Sequence, residues 1–490
     1  MSRDSNRADL LIRNATLIDG SGAAARHGSL AVRDDRIVAL GTLDGWTGAT
    51  DVDAGGKALA PGFIDVHTHD DRALIANPGM DCKVSQGVTT VVTGNCGVSL
   101  APLAIDRRPP PPLDLICEDP AGFFADFADY LSFLDREPPA TNALAQVGHS
   151  SLRAGALDSL DRPATSAEVA AMRGKLEESL EAGAIGLSTG LFYPPATAAP
   201  TEEVIELAKA LRQAKALHTT HMRDEADHVT ESLEETFRIG REAQVPVVIS
   251  HHKCAGQANY GRSAETLKLI GATREKQHVG LDVYPYVAGS TMLDADCLAD
   301  ASRVVVSWSI PHPEAAGRDL EDIAADWGVA VEEAVARLTP AGGIFFMMDE
   351  ADVQRILAFP HSMVGSDGLP HDSHPHPRLW GTFPRVLGHY SRDLGLFSLE
   401  EAVRKMTGLP ASEFGLTDRG RLAVGAAADL VLFDPEEIID AATFDAPKTP
   451  ARGIREVWVN GRSVWRDGAT TGARPGRALR LQSLTVPSAA

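Results

Sequence analysis

Between residues 60 and 410, short apolar or β-branched runs alternate with longer stretches whose apolar positions recur at helical spacing. Eight such runs stand out: "APGFIDVH" (60–67), "GVTTVVTGNC" (87–96), "NALAQVGH" (142–149), "GAIGLSTG" (183–190), "ALHTTH" (216–221), "VPVVISHH" (245–252), "VGLDVYPY" (279–286) and "HSMVGSD" (361–367). Between them, "TSAEVAAMRGKLEESLEAG" (165–183) reads as a helix capped by Thr165 or Ser166 and closed by Gly183, and "TEEVIELAKALRQA" (201–214) as one with acids in its first turn. Strand and helix in alternation predict the α/β class with a parallel sheet, and eight units predict a (β/α)8 TIM-like barrel over residues 61–414. The stretch 287–358 is too long for one crossover. It is expected to be an insertion over the barrel mouth, with its own helices such as 318–338. Segments 1–60 and 415–490 are short strands separated by turn residues, with a hairpin signal in "VNG", and are expected to meet in a small β-sandwich. No repeat of solenoid period is present, and "RRPPPP" (107–112) reads as a stiff loop.

Composition narrows the class of partner. Of 490 residues, 44% are apolar and 23% charged, which suits a globular chain with a core. A net charge of −21 repels nucleic acid and anionic membrane as partners, and an anionic substrate would have to meet a few placed cations. Cys82, Cys96, Cys117, Cys254 and Cys297 are scattered and odd in number, which suits reduced thiols in a cytoplasm. The absence of an apolar leader or of any 18-residue apolar run leads to the same cytoplasmic expectation.

The ends of the predicted strands carry the chemistry. His67 and His69 are two apart, so on a strand they aim two imidazoles at one point, although HxH pairs also occur in plain surface loops. Cys96 ends the second run, His221 the fifth, His251 falls at the end of the sixth and Asp367 closes the eighth. A barrel places its chemistry at that end, and imidazole with thiolate is a donor set that suits zinc.

"GFIDVHTH", the later histidines, the aspartate and the tail "GRLAVGAAADLVLFD" resemble the amidohydrolase superfamily over almost the whole chain. Within it, "VTTVVTGNCG", "THMRDE", "SHHK", "GSDGLPH" and "HPRLWGTFPRVLG" resemble the N-acyl-D-amino-acid deacylases, or D-aminoacylases. That resemblance implies zinc held tightly by Cys96, His221 and His251, with a weaker neighbouring site at His67, His69 and Asp367. It also implies hydrolysis of N-acyl-D-amino acids, with D-selectivity resting on the resemblance alone. The fourth run, "GAIGLSTGLFY", lacks the lysine that bridges two metals in many amidohydrolases, so Cys96 is expected in the bridging position. Asp367 is expected to take a proton from water and return it to the leaving amine.

A substrate of that kind has an α-carboxylate, for which Lys253 and Arg378 are the expected cations, with Tyr284 as a hydroxyl donor and Tyr193 near the site. "AGSTMLDADC" offers Asp294 and Asp296 but no cation, which leans toward neutral D-residues, and Met292, Met347 and Met348 are either pocket wall or core. His252 is expected to point away from the metal, His149 to be a satisfied or supporting histidine, His371, His374 and His376 to lie in a mobile lid loop, and Cys254 to be a buried apolar residue. Two rivals stand beside this reading: hydrolysis of a cyclic amide or dipeptide on the same centre, and a silent metal-binding protein.

Overall fold

The computed structural model describes residues 6–489, which form a mixed α/β structure. The strands expected from the eight runs are all present, and all are parallel. Phe63–Asp65, Val88–Thr93 and Asn142–Ala145 pair in that order; Val147–Gly148, Gly186–Gly190, Leu217–His221, Val247–Ile249, Val279–Val283 and Ser362–Val364 form a second run. The chain changes neighbours at Gln146, leaving Val88–Thr93 to join Gly186–Gly190. A parallel bridge between Thr68 and Gly368 links the chain just beyond the first strand to the chain just beyond the last. One apolar cluster takes Ile64, Val92, Leu144, Leu217, Val248 and Met363 from six of these strands and is continued by Leu409, Phe414 and Leu416. The helices pack outside them, each burying one face, as in Thr201–Ala214, where Val204, Leu207, Ala208 and Leu211 are buried.

Two of the expected strands divide. The run 60–67 breaks at Gly62, with Ala58–Pro61 and Phe63–Asp65 in different sheets; the residue at the break must be small, since a Cβ there would lie 2.2 Å from the Thr89 side chain. The run 142–149 ends at Gly148, and His149 begins the helix His149–Ala156.

The two ends of the chain meet in one nine-stranded sheet, joined where Leu430–Phe433 runs antiparallel to Ala58–Pro61. Its own core includes Ile12, Leu30, Val32, Leu430 and Trp458. A last short strand, Ala478–Leu479, lies beside Asn142–Ala145.

The insertion contains a sheet the pattern did not predict, formed by Ala288–Met292, Arg303–Ser309 and Ala341–Phe346. The single helix expected over 318–338 is two, Leu320–Trp327 and Val331–Leu338, because Gly328 turns left-handed at φ 65° and ends the first. Among the described residues no helix is long and apolar enough to cross a membrane.

Candidate metal centre and active site

Of the six expected residues, only His221 lies within its strand, as the last residue of Leu217–His221. His67 and His69 lie just past the strand Phe63–Asp65, so strand alternation is not what brings them together. They are held by the crossing with the last strand, where the Asp367 N–H donates to the His67 carbonyl at 2.8 Å. Cys96, His251 and Asp367 each stand in the turn after a strand with positive φ, at 53°, 36° and 50°. Non-glycine residues seldom take that conformation, and where they do the surrounding structure must hold them in it.

All six side chains converge. Cys96 Sγ lies 3.2 Å from His67 Nε2 and 3.3 Å from His251 Nε2. Asp367 Oδ1 lies 3.2 Å from His69 Nε2 and 3.5 Å from His67 Nε2. The donors fall into two groups, His67, His69, Cys96 and Asp367 in one and Cys96, His221 and His251 in the other, and within each the ligand atoms lie within 4.8 Å of one another. Cys96 is common to both. Donors sharing one zinc at bonds of about 2.0–2.3 Å lie roughly that far apart. His221 Nδ1 is buried without a hydrogen-bond partner, a lone pair placed for a cation. The residues present therefore fit zinc, with one compact site of two histidines and a thiolate and a second beside it.

Without an ion the electrostatics divide the donors: despite burial, Cys96 and neighbouring carboxylates hold the pKa of His67 well above the ordinary imidazole value and that of His69 at about 9, favouring the protonated form, while the two anionic donors are held deprotonated. Burial opposes a thiolate at Cys96, yet the charges of His67 and His251 and hydrogen bonds from His221 and His251 hold its pKa well below the ordinary thiol value. Burial likewise opposes ionisation of Asp367, but Arg378, then His67 and His251, hold its pKa well below the carboxylate range. Metal ligands must be deprotonated, and this environment favours that state for both anionic donors.

Two acids that the sequence reading passed over hold the histidines. Glu225 Oε1 is 3.1 Å from His251 Nδ1, and its Oε2 is 3.3 Å from His221 Nε2 and 2.7 Å from Lys253 Nζ. Asp282 Oδ2 is 3.3 Å from His67 Nδ1, and its Oδ1 accepts from the His251 N–H at 2.9 Å. Carboxylates behind ligating histidines fix the ring orientation and strengthen the donor. Signals existed for both. Glu225 follows His221 by four residues in "HMRDE", and Asp282 is the one charge in the apolar strand "VGLDV".

A cavity of about 160 Å³ opens onto this cluster and is lined by His221, His251, Asp367, Tyr193, Lys253, Tyr284 and Arg378. Arg378 is fully buried, its Nη1 2.9 Å from Asp367 Oδ2, and its guanidinium sits 4.5 Å from the centre of the Tyr284 ring. Its Nε–H has no hydrogen-bond partner. Lys253 is less free than the sequence suggested, because Glu225 already pairs with it. Tyr193 packs edge-on against His221 with its hydroxyl 3.1 Å from Thr291 Oγ1, and the Tyr284 hydroxyl faces Met348 Sδ at 3.9 Å. Met347 lines the cavity; Met292 does not.

The remaining histidines stay outside the cluster. His252 Nε2 is 2.8 Å from Thr266 Oγ1 and His149 Nε2 2.9 Å from Glu203. His374 and His376 are packed where a free lid loop was expected: His374 Nε2 donates to the Phe444 carbonyl at 2.6 Å, and the buried His376 ring lies between Tyr286 and Phe444. Cys254 is buried.

The Amidohydrolase family model matches residues 51–303 and 273–465. The chain belongs to that family. It is 57% identical over 476 residues to the D-aminoacylase of Alcaligenes xylosoxydans xylosoxydans, covering 97% of this chain and 98% of the relative. It is 55% identical to the N-acyl-D-aspartate deacylase of the same organism, over 96% of this chain and 95% of the relative. Among solved structures, the N-acyl-D-glutamate deacylase of Bordetella bronchiseptica, complexed with zinc and a phosphonate mimic of the tetrahedral intermediate, superposes at a TM-score of 0.94 with 46% identity, over 97% of this chain and all of that one.

Proposed function

We propose that this protein is a zinc-dependent hydrolase of N-acyl-D-amino acids, releasing a carboxylate and the free D-amino acid. The observation that carries the reading is the placement of Asp367, in contact with His69 and Arg378 at the wall of a cavity that opens onto the Cys96, His221 and His251 donor set. Its relatives at 57% and 55% identity, a D-aminoacylase and an N-acyl-D-aspartate deacylase, support the substrate class. Cys96, His221 and His251 would hold the tighter zinc, and His67, His69 and Asp367 a weaker neighbour through the shared Cys96. Zinc bound there supplies a nucleophilic water at neutral pH and polarises the scissile carbonyl.

The chain's own residues do the rest. Asp367 accepts a proton from the water and returns it to the leaving nitrogen, which would otherwise depart as an amide anion. Arg378, through its unpartnered Nε–H, binds the substrate α-carboxylate, with Lys253 and Tyr284 beside it. Tyr193 closes the wall over His221. A neutral D side chain fits best, since Lys253 and Arg378 are both ion-paired while Asp224, Asp296 and Asp300 line the same cavity. We read the eight parallel strands as a (β/α)8 barrel of residues 61–414, closed near the Thr68–Gly368 bridge. The nine-stranded sheet reads as the sandwich expected of segments 1–60 and 415–490, folded over its own core; residues 1–5 and 490 lie outside the described residues. Free cysteines support a reducing compartment such as the cytoplasm.

The test is acetate release from N-acetyl-D-methionine, N-acetyl-L-methionine and N-acetyl-D-glutamate by the zinc-loaded protein, beside Asp367→Asn. D-selective release that vanishes in the variant supports the reading. No release from any substrate by protein with zinc bound overturns it, and cyclic amides and dipeptides are assayed next.

A further inference from the structure

Lys83 looks unremarkable in sequence, a charge in the polar stretch "DCKVSQG", yet it is fully buried on the short helix Asp81–Val84. Its Nζ lies 2.8 Å from Asp65 Oδ2, 2.8 Å from Ser366 Oγ and 3.2 Å from Asp70 Oδ2. Each partner neighbours a residue of the centre. Asp65 precedes His67 by two positions, Asp70 follows His69 directly, and Ser366 directly precedes Asp367. Asp65 Oδ1 reinforces the tie by accepting from the Ser366 N–H at 2.8 Å and the His67 N–H at 3.4 Å.

The ammonium donates to Asp65 on one segment and to Ser366 on the other, and Asp70 adds its charge at ion-pair distance without an aligned hydrogen bond. A compact ammonium with freely turning donors can serve both segments at once, whereas a guanidinium holds its donors in a fixed plane. Among the described residues no comparable link from Lys83 reaches Cys96, His221 or His251; Glu225 holds His221 and His251 from the other side, and Asp282 meets both His251 and His67.

We infer that Lys83 is a positioning residue: it fixes the segment bearing His67 and His69 against the segment bearing Asp367, and so sets where the proton-transferring carboxylate stands relative to the tighter donor set. The inference rests on the hydrolase reading for its kinetic consequence, and on geometry alone for its effect on metal binding. A purely structural ion pair would change stability and leave the centre of the folded protein as it is.

The test compares Lys83→Met and Ser366→Ala with the wild type, all as full-length protein. Ser366→Ala removes one arm of the tie while leaving Lys83 paired with Asp65, so it reports even if the lysine variant fails to fold. Two readouts are taken: kcat and KM on N-acetyl-D-methionine with zinc loaded, and a calorimetric titration with cobalt(II). The expected result is a kcat lower by about 10–100-fold in Lys83→Met, and by less in Ser366→Ala, with KM within about threefold. The weakest cobalt equivalent loses about 10-fold or more in affinity while the tightest is unchanged. Wild-type kcat per bound metal and an unchanged isotherm in the variants overturn the inference, as does an equal loss at every equivalent. If the wild type does not hydrolyse the substrate, the hydrolase reading fails and the cobalt isotherm alone decides the role of Lys83.

Discussion

Glu225 and His251 are joined through Oε1 and Nδ1 at 3.1 Å, and the same carboxylate also meets His221 and Lys253. One buried acid thus supports both imidazoles of the tighter donor set. Burial opposes its ionisation, but Lys253, then His221 and His251, hold its pKa far below the usual carboxylate range. Glu225→Gln keeps the size and removes the charge, leaving Lys253 without its carboxylate and only His251 Nδ1 beside it at 2.7 Å. Affinity for the tightest zinc should fall by about 10–100-fold, measured by competition with a chromophoric chelator. An unchanged affinity would mean that Glu225 only neutralises Lys253.

Arg378 lines the cavity and pairs with Asp367. Replacement by Lys loses the planar fork and its stacking on Tyr284, so KM should rise about tenfold or more. Arg378→Gln removes the charge that most strongly holds the Asp367 pKa down, and that pKa must then rise. A carboxylate that accepts the proton must be ionised, so on the proposed role of Asp367 the acidic limb of the kcat/KM profile should move to higher pH. A limb that stays in place would assign it to another group.

Removing the metal leaves Cys96 and the four histidines crowded without a shared cation. Because the donor set is assembled only in the native fold, a metal present at a thousandfold over its Kd adds about 4 kcal/mol to stability. Chelator-treated protein should therefore melt several degrees lower in calorimetry and recover on addition of zinc. Equal melting temperatures would mean that these donors bind no ion tightly.

His218 is buried in the strand Leu217–His221, its Nδ1 donating to the Leu187 carbonyl at 3.1 Å, and burial pushes its pKa down to about 4. The unfolded chain protonates near 6.5 and the native one does not, so the native state is favoured fully above that pH and loses this contribution as pH falls from about 6.5 to about 4. The loss is about 3 kcal/mol at most. His218→Asn should flatten the melting-temperature profile in that window; a slope identical to wild type would place the acid sensitivity elsewhere.

The residues that would touch the metal were legible because their identities are rare and each comes just after a hydrophobic run. Glu225 and Asp282 carried weak signals, a spacing of four from His221 and a lone charge in a strand. Lys83 carried none, since its burial depends on residues up to 283 positions away, and no local pattern encodes such a contact. The same limit applies to the fold. The eight strands follow from composition, whereas the break at Gly62 lies where the Thr89 side chain, 27 residues on, approaches too closely for a Cβ, and the division of 318–338 turns on one glycine's backbone angle. In the insertion, Ala288–Met292 has the small polar composition of a loop, but Arg303–Ser309, "RVVVSWS", carried a strand signal that the helix-centred reading of this stretch passed over.

The left-handed turns at Cys96, His251 and Asp367 set the needs of folding against those of catalysis. Each is a position where glycine would be at ease and where a side chain costs about 1–3 kcal/mol, least for the aspartate. Substituting glycine at Cys96 or His251 relieves that strain only in protein without metal; in metal-loaded protein it also forfeits the larger contribution of the bound ion. The ion therefore offsets the conformational cost of the turns that gather its donors, and a population screened for heat tolerance keeps these residues only where metal is supplied.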